Sequence, residues 1–495
     1  MSNIKEQLIK IFGAENVEDS VDVLNQFKTS TGFVKGFCPS FLVHAADSQQ
    51  IQTLVKLCNE TKTPIVPVSS SGSHRHGGTV PTAAQAIMLD LSGIKEVYFM
   101  NYTWRVAAFS AGLTYGELAP VLAKEGLFLE STIAPRADKS VVASLLETEP
   151  RLNPNCEWNS TDPIRSTETV FGDATILRTG DAGVAPMDKP IAEALKFGEE
   201  KFHSHYVGSC GPEDIDYYRL LTGAQGTLGV VSWVSARCSR IPSLRKTFLF
   251  PTDDLGKAID FMYNIEHIRF SDGLFLLSRM GLALLMGYEG EVARQLCKTL
   301  PRWIVVATAA SRELQPELRL KAQIEGFKDC AAKAGIEMTE FVAGIKASEV
   351  EKKAFNPCQP GKYWHDGLKG KSADIFFLST MDKAEMFNAK MISLAEAADV
   401  DINDIAVIVQ PKHMGVNCRI EFVLPYDCND EDQIRMLFET ASKQMCDMGG
   451  YFSRPYGKMG KIQLNKDAHG AAVLGKLKGI FDPNGIMNPG KLSVE

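Results

Sequence analysis

The feature that most constrains this chain is the gathering of conformationally permissive residues into three distant segments, Val66–Gly78, Leu220–Val231 and Phe481–Leu492. Glycine reaches backbone conformations closed to other residues and leaves room for a backbone to approach a ligand. The first segment, VPVSSSGSHRHGG, follows a β-like Pro64-Ile65-Val66. Backbone N–H groups in such a loop can converge on a pyrophosphate. Alone, it reads equally well as a Ser/Gly surface loop. The second, LLTGAQGTLGVV, spaces Gly223, Gly226 and Gly229 three residues apart. That suits a turn passing flat beneath a ring system into a strand, and a glycine-rich hairpin would look the same. It is no Rossmann fingerprint, because no strand leads directly into G-x-G-x-x-G and a helix. The third, FDPNGIMNPGKL, holds Asp482-Pro483, Asn484-Gly485 and Pro489-Gly490. So many turn-forming pairs rarely gather in a disordered end.

A chain of 495 residues exceeds one ordinary hydrophobic core, so two or three domains are expected. Residues 41–66 read as a β-α-β unit, with Asp47-Ser48 as the helix cap and a stripe at Ile51, Leu54, Val55 and Leu57. A strand is expected at Ala86–Leu91 and a helix over Leu113–Glu125. Residues 131–190, rich in Pro, Asn, Asp and Thr, read as loops over a surface or a cofactor. From about 245, helices at 256–268, 316–334, 383–398 and 430–448 alternate with strands at 274–277, 303–309, 373–379, 405–410 and 417–424. The fold class is therefore α+β. We divide it into 1–245, 246–440 and 441–495, the last returning to the first.

The formal charge of −7 disfavours nucleic acid as partner, since phosphate backbones need a basic face. Eleven scattered cysteines, without C-x-x-C or metal-ligand spacing, suggest reduced thiols and a cytoplasmic location. The N-terminus reads as an amphipathic helix, not a signal peptide, and no apolar run reaches membrane-spanning length.

Taken together, the loop ending in Gly77-Gly78, LDLSGIKEV, AGLTYGEL, TGAQGTLGVV and FDPNGIMNPGKL closely resemble the FAD-binding module of the vanillyl-alcohol oxidase / p-cresol methylhydroxylase superfamily. That superfamily also holds glycolate- and D-lactate-oxidising enzymes. The resemblance covers most of residues 40–245 and 440–495. It implies a two-lobed FAD-binding module, a β-α-β unit plus a mixed sheet, lidded by an α+β substrate cap. FAD would meet Ser70, Ser71, Gly72, Ser73, His74, Gly77 and Gly78 on the first loop. Ser144, then Gly226, Gly229 and Val230, and finally Asn488 would complete the cofactor site. The implied reaction is hydride transfer to FAD from a 2-hydroxy acid, an alcohol or a phenolic side chain. A flavin-dependent reductase, or an electron-relay subunit of a complex, is the alternative. Electrons would pass to oxygen, a quinone or a protein, and relatives are often dimers.

Departures from the family pattern narrow these implications. The paired-glycine asparagine motif is replaced by Val141–Leu146. The H-x-G-D-G-N metal motif reads Lys412–Asn417 without its Asp, so no metal is expected. The phenolate-binding tyrosines are His76 and Ser453 here, whereas the family's C-terminal arginine corresponds to Arg454. His74 resembles a histidine that anchors flavin covalently in some branches, and Asp374 stands where the cap's anchoring histidine would be. We expect non-covalent FAD, with attachment through His74 left open. For catalysis, Arg454 suits a developing negative charge, His76 and His413 a proton, and Tyr456 an alcohol oxygen. Arg279 and Lys412 could hold an acidic substrate from the cap. Each also has an ordinary reading as a packed or solvated side chain.

Overall fold

Asp47 caps the helix Ser48–Thr61, accepting from the Gln50 N–H at 2.8 Å, and so fixes the β-α-β turn where the sequence places it. The computed structural model describes residues 2–72, 74–156, 163–180, 218–312, 314–412 and 415–492. Strands β1 (Val17–Glu18), β2 (Phe41–His44), β3 (Ile65–Val68) and β4 (Ile87–Asp90) form a sheet in the order β1-β2-β4-β3. Both β2 and β3 pair in parallel with β4, which inserts between the two strands of the β-α-β unit. Ile87, Met88 and Leu89 are fully buried, as a central parallel strand requires.

Next come β5 (Val97–Asn101), β6 (Val106–Ser110), β7 (Leu127–Phe128), β8 (Ile164–Phe171), β9 (Ile176–Arg178), β10 (Gly229–Arg237) and β11 (Ser239–Arg240). A short ribbon joins β7 to β11, and the other five form a sheet in the order β5-β6-β10-β8-β9. Here the structure corrects part of the reading of 131–190 as loops, of which 157–162 and 181–190 lie outside the described residues. Residues 164–171 form an interior strand, and Val141–Leu146 a short helix. Composition hid the strand because Ser166, Thr167, Glu168 and Thr169 are polar yet buried. Glu168 lies inside because Arg178 on β9 pairs with it at 2.7 Å.

The middle of the chain contributes β12 (Leu244–Thr252), β13 (Gly273–Ser278), β14 (Trp303–Ser311), a ribbon of β15 (Phe341–Val342) and β16 (Ile345–Lys346), then β17 (Lys371–Ser379), β18 (Ala406–Lys412) and β19 (Asn417–Tyr426). Six of these form an antiparallel sheet, β12-β14-β13-β18-β19-β17. Side chains alternate across a strand, so each face has its own character. Ile375, Phe377, Val407, Val409, Ile420 and Phe422 pack against the helices Leu255–Ile268, Ala384–Ala397 and Glu431–Asp447. Their neighbours Asp374, Ile408, Gln410, Arg419 and Glu421 line a cavity instead. The architecture is α+β throughout.

The C-terminal segment rejoins the first sheet. Ile65 donates to Ile486 O at 2.8 Å and accepts from the Asn488 N–H at 2.8 Å, so Ile486 and Met487 bury alongside β3. Asp482 makes this turn rigid by accepting from the N–H groups of Ile486 (3.0 Å) and Met487 (2.9 Å). Among the described residues no helix is long and apolar enough to cross a membrane.

Candidate functional site

A cavity of about 240 Å³ runs between the first two sheets and the polar face of the six-stranded sheet. One side is backbone-rich. Ser69, Ser70, His74, His76 and Gly78 come from the loop after β3, Gly223–Gly226 and Leu228 from the glycine-rich turn before β10, and Gly229–Val231 from β10 itself. Gly226 has φ +71°, and a Cβ there would lie 2.7 Å from Pro67 Cγ. The turn can press against β3 only without a side chain. Gly72, at φ +80°, would place a Cβ 2.0 Å from Asp138 Oδ2, and Ser71 donates to Asp138 O at 3.1 Å. These contacts lock the loop to the segment ahead of helix Val141–Leu146.

Several expected cofactor contacts line the cavity: Ser70, His74, Gly78, Gly226, Gly229 and Val230. Ser71, Gly72, Gly77 and Asn488 do not, and act behind it. Asn488, buried at φ +37°, donates from Nδ2 to Gly78 O (3.0 Å) and Gln225 O (2.7 Å). It staples the two glycine-bearing loops together. Gly77 O accepts from the buried Lys491 ammonium, which also donates to Val80 O at 2.7 Å. Ser144 turns away from the cavity: its hydroxyl accepts from Tyr115 at 2.9 Å and donates to Glu149 at 2.5 Å, while Val142 and Ala143 face the cavity. Ser73 and His413 lie outside the described residues.

The other side is polar. Arg454 is 4 % exposed and donates from Nη1 to Glu147 (2.6 Å) and Glu149 (3.4 Å). Burial alone would raise Glu149, but Lys139 at 2.7 Å and Arg454 override it and hold the carboxyl far below its usual range. Phe376 lies beneath two guanidiniums, those of Arg419 and Arg454, each 4.5 Å from the ring centroid. His76 packs edge-on to Phe376 and stacks on Tyr456, with centroids 5.2 Å apart. Burial, followed by Arg454, keeps His76 well below its ordinary pKa, so the ring is neutral. Burial keeps the Tyr456 phenol protonated. Arg279 and Lys412 lie off the cavity: Arg279 donates to Asn403, and the buried Lys412 donates to Thr148 O at 2.6 Å.

Several lining groups were not singled out from the sequence: Lys139, Glu147, Glu149, Tyr363, His365, Gln410, Arg419 and Glu421. One signal was available, because Arg419 and Glu421 alternate with Ile420 and Phe422 in a strand whose other face is core. Gln410 faces Arg419 across the β18–β19 ladder, and among the described residues neither Gln410 Nε2 nor Arg419 Nε has a hydrogen-bond partner. Behind Asp374 stands Arg75, which crosses from the first loop to donate from Nη1 to both carboxylate oxygens of Asp366 (2.9 and 2.8 Å) and to stack over Tyr363. His365, Asp374 and Glu421 bring donor atoms within 4.8 Å of one another. Asp374 already pairs with Arg75 and Glu421 with Arg419, a compensation that disfavours a divalent cation there.

The residues that line the cavity suit the parts of an extended flavin dinucleotide. Ser70 and Gly78, beside a neutral His74 whose pKa is pushed down to about 4 by burial and then Arg136, would suit the pyrophosphate end. The Gly223–Leu228 turn and the start of β10 would suit the ring, opposite the polar sheet.

Comparison with known proteins supports this fit. Residues 39–180 match the FAD binding domain family, and residues 412–492 match the C-terminal domain of FAD linked oxidases. The glycolate oxidase subunit GlcD of Bacillus subtilis (strain 168) is 21% identical over 99% of this chain and 96% of its own length. The 4-cresol dehydrogenase [hydroxylating] flavoprotein subunit of Pseudomonas putida is 26% identical over 30% of this chain and 28% of its own. The solved structure of 4-ethylphenol oxidase from Gulosibacter chungangensis superposes with a TM-score of 0.81 at 16% identity, covering 100% of this chain and 97% of that one.

Proposed function

Since the chain belongs to the FAD-linked oxidoreductases of the vanillyl-alcohol oxidase / p-cresol methylhydroxylase type, enzymes that oxidise hydroxylated small molecules, we propose that its substrate is a 2-hydroxy acid. Bound FAD supplies the hydride acceptor. The observation that carries the substrate reading is the pair of buried guanidiniums over Phe376. Arg454 engages Glu147 and Glu149 only through Nη1, and Arg419 engages Glu421 only through Nη2. Among the described residues the remaining nitrogens make no hydrogen bond, and a carboxylate matches a guanidinium's paired donors. A D-lactate dehydrogenase of Anaerostipes hadrus, 21% identical over 92% of this chain and 89% of its own length, adds support.

In this reading Arg454 and Arg419 hold the substrate carboxylate, and Tyr456 donates to the alcohol oxygen. The stacked His76–Tyr456 pair excludes water from that side. Ser70, His74, Gly78, Gly226, Gly229 and Val230 hold FAD, while residues 246–440 act as the cap. A phenolic substrate is the second reading, favoured by the likeness in fold to 4-ethylphenol oxidase.

Anaerobic bleaching of the flavin absorbance separates the two. We expect reduction by short 2-hydroxy acids and none by para-alkylphenols, and the reverse pattern would overturn the assignment. Flavin that no small molecule reduces would instead indicate an electron-relay subunit. Acid precipitation decides the state of His74: yellow pellet for a covalent link, yellow supernatant for the non-covalent FAD we favour. A reducing, cytoplasmic setting is in keeping with the free thiols of Cys58, Cys238 and Cys418. A quinone or a protein acceptor is tested by adding each to the reduced enzyme and following reoxidation.

A further inference from the structure

We propose that His365 is the base that takes the substrate's hydroxyl proton, with Asp374 fixing its tautomer and Arg75 fixing Asp374. The inference rests on the oxidase reading above and deepens it.

His365 sits on the short turn Trp364–Asp366, away from every motif that carries the family likeness, yet it lines the cavity. Its ring is held between Tyr363, with centroids 4.3 Å apart, and the edge-on Trp364 at 4.2 Å. Nδ1 lies 3.1 Å from Asp374 Oδ1. Asp374 is a carboxylate: burial opposes its charge, but His365 and Arg75 more than offset that and keep it ionised. An ionised carboxylate only accepts, so Nδ1 carries the hydrogen and Nε2 carries the lone pair. Nε2 meets the Tyr363 hydroxyl at 3.3 Å, a long contact that a substrate hydroxyl can replace.

Two carboxylates stand close to the ring, placed to pair with the positive charge it would carry after taking the proton. Asp374 and Glu421 flank it from β17 and β19, within 4.8 Å by their ligand atoms. Arg75 and Asp366 stand behind Asp374, and Arg419 behind Glu421. Tyr363 stays a neutral phenol, its ionisation opposed by burial and then Asp374. His76 approaches from the first loop but is the poorer base, because burial and Arg454 oppose its protonation. The substrate O–H bond breaks and its proton forms an N–H bond at Nε2. The freed oxygen pair makes the C=O double bond, as the C–H pair departs as hydride to the flavin.

The test uses the FAD-loaded protein, His365→Gln, Asp374→Asn and nitrogen-15 spectra of the wild-type imidazoles. We expect His365→Gln to retain FAD but to slow anaerobic flavin reduction by about 10²–10⁴-fold. We also expect it to lose the acid limb of the rate–pH profile. In the wild-type spectrum Nδ1 should be protonated and Nε2 bare, a pattern Asp374→Asn scrambles. A variant reducing within a few-fold of wild type on the same acid limb overturns the proposal. So does a wild-type spectrum with the proton on Nε2, which needs no variant to fold. A colourless wild-type protein, or one that no hydroxylated compound reduces, instead refutes the oxidase reading, and the tautomer still decides the geometry assigned to His365.

Discussion

Asn488→Ala isolates how the two glycine-bearing loops are held in register. The substitution removes donation to Gly78 O at 3.0 Å and to Gln225 O at 2.7 Å. At about 1 kcal/mol net each, the lost bonds cost about 2 kcal/mol. The backbone at Asn488 has φ +37°, which asparagine tolerates better than alanine, adding about 1 kcal/mol. The staple exists to bring Gly78 and Gly226 to one cavity, so most of that loss should appear in FAD affinity. A loss of about 3 kcal/mol corresponds to a roughly 100-fold weaker Kd. Asn488→Gly relieves the backbone term but not the hydrogen bonds and should fall between the two. Flavin fluorescence quenching on titrating apoprotein measures all three. If Asn488→Ala binds FAD within about twofold of wild type, a difference below 0.5 kcal/mol, the stapling argument is wrong.

Arg454→Met should lower kcat/KM by about 10²–10³-fold while leaving flavin bound, with partial recovery in Arg454→Lys; steady-state kinetics on the colour-matched proteins checks this. Arg178→Met strands Glu168, and both side chains are 2% exposed, so denaturation should show a loss of about 3–5 kcal/mol that Glu168→Gln in the same chain partly restores. His74 titrates near 4 when folded, below its ordinary 6.5, so between those values the unfolded chain binds more protons. Stability should therefore be full above about pH 6.5 and fall as pH drops towards 4, by about 1.4 kcal/mol per pH unit from this group. Urea titrations across that range should show a shallower fall in His74→Gln, and an unchanged slope would refute the assignment.

Local pattern placed most elements of the fold. The expected helices 256–268 and 316–334 are Leu255–Ile268 and Pro316–Ala334, and the expected strands 373–379 and 417–424 are β17 and β19 with slightly extended ends. Each has a period that one face of burial explains. The interior strand β8 failed this test because Glu168 belongs inside only once Arg178 is beside it. Within the site, small residues were legible for the same local reason, since Gly72 and Gly226 carry positive φ. Ser144 was misplaced by register alone: on its short helix Val142 and Ala143 face the cavity, while Ser144 faces Tyr115.

Sequence by itself determined the α+β class, the cofactor family and the backbone loops that suit a dinucleotide, because these depend on spacing and on glycine's conformational range. Tertiary structure alone decided the charged wall. Glu147 and Arg454 stand 307 positions apart, and Arg75 and Asp374 stand 299 apart. A charge buried by folding takes its meaning from whichever opposite charge the fold sets against it, and no local pattern encodes that pairing.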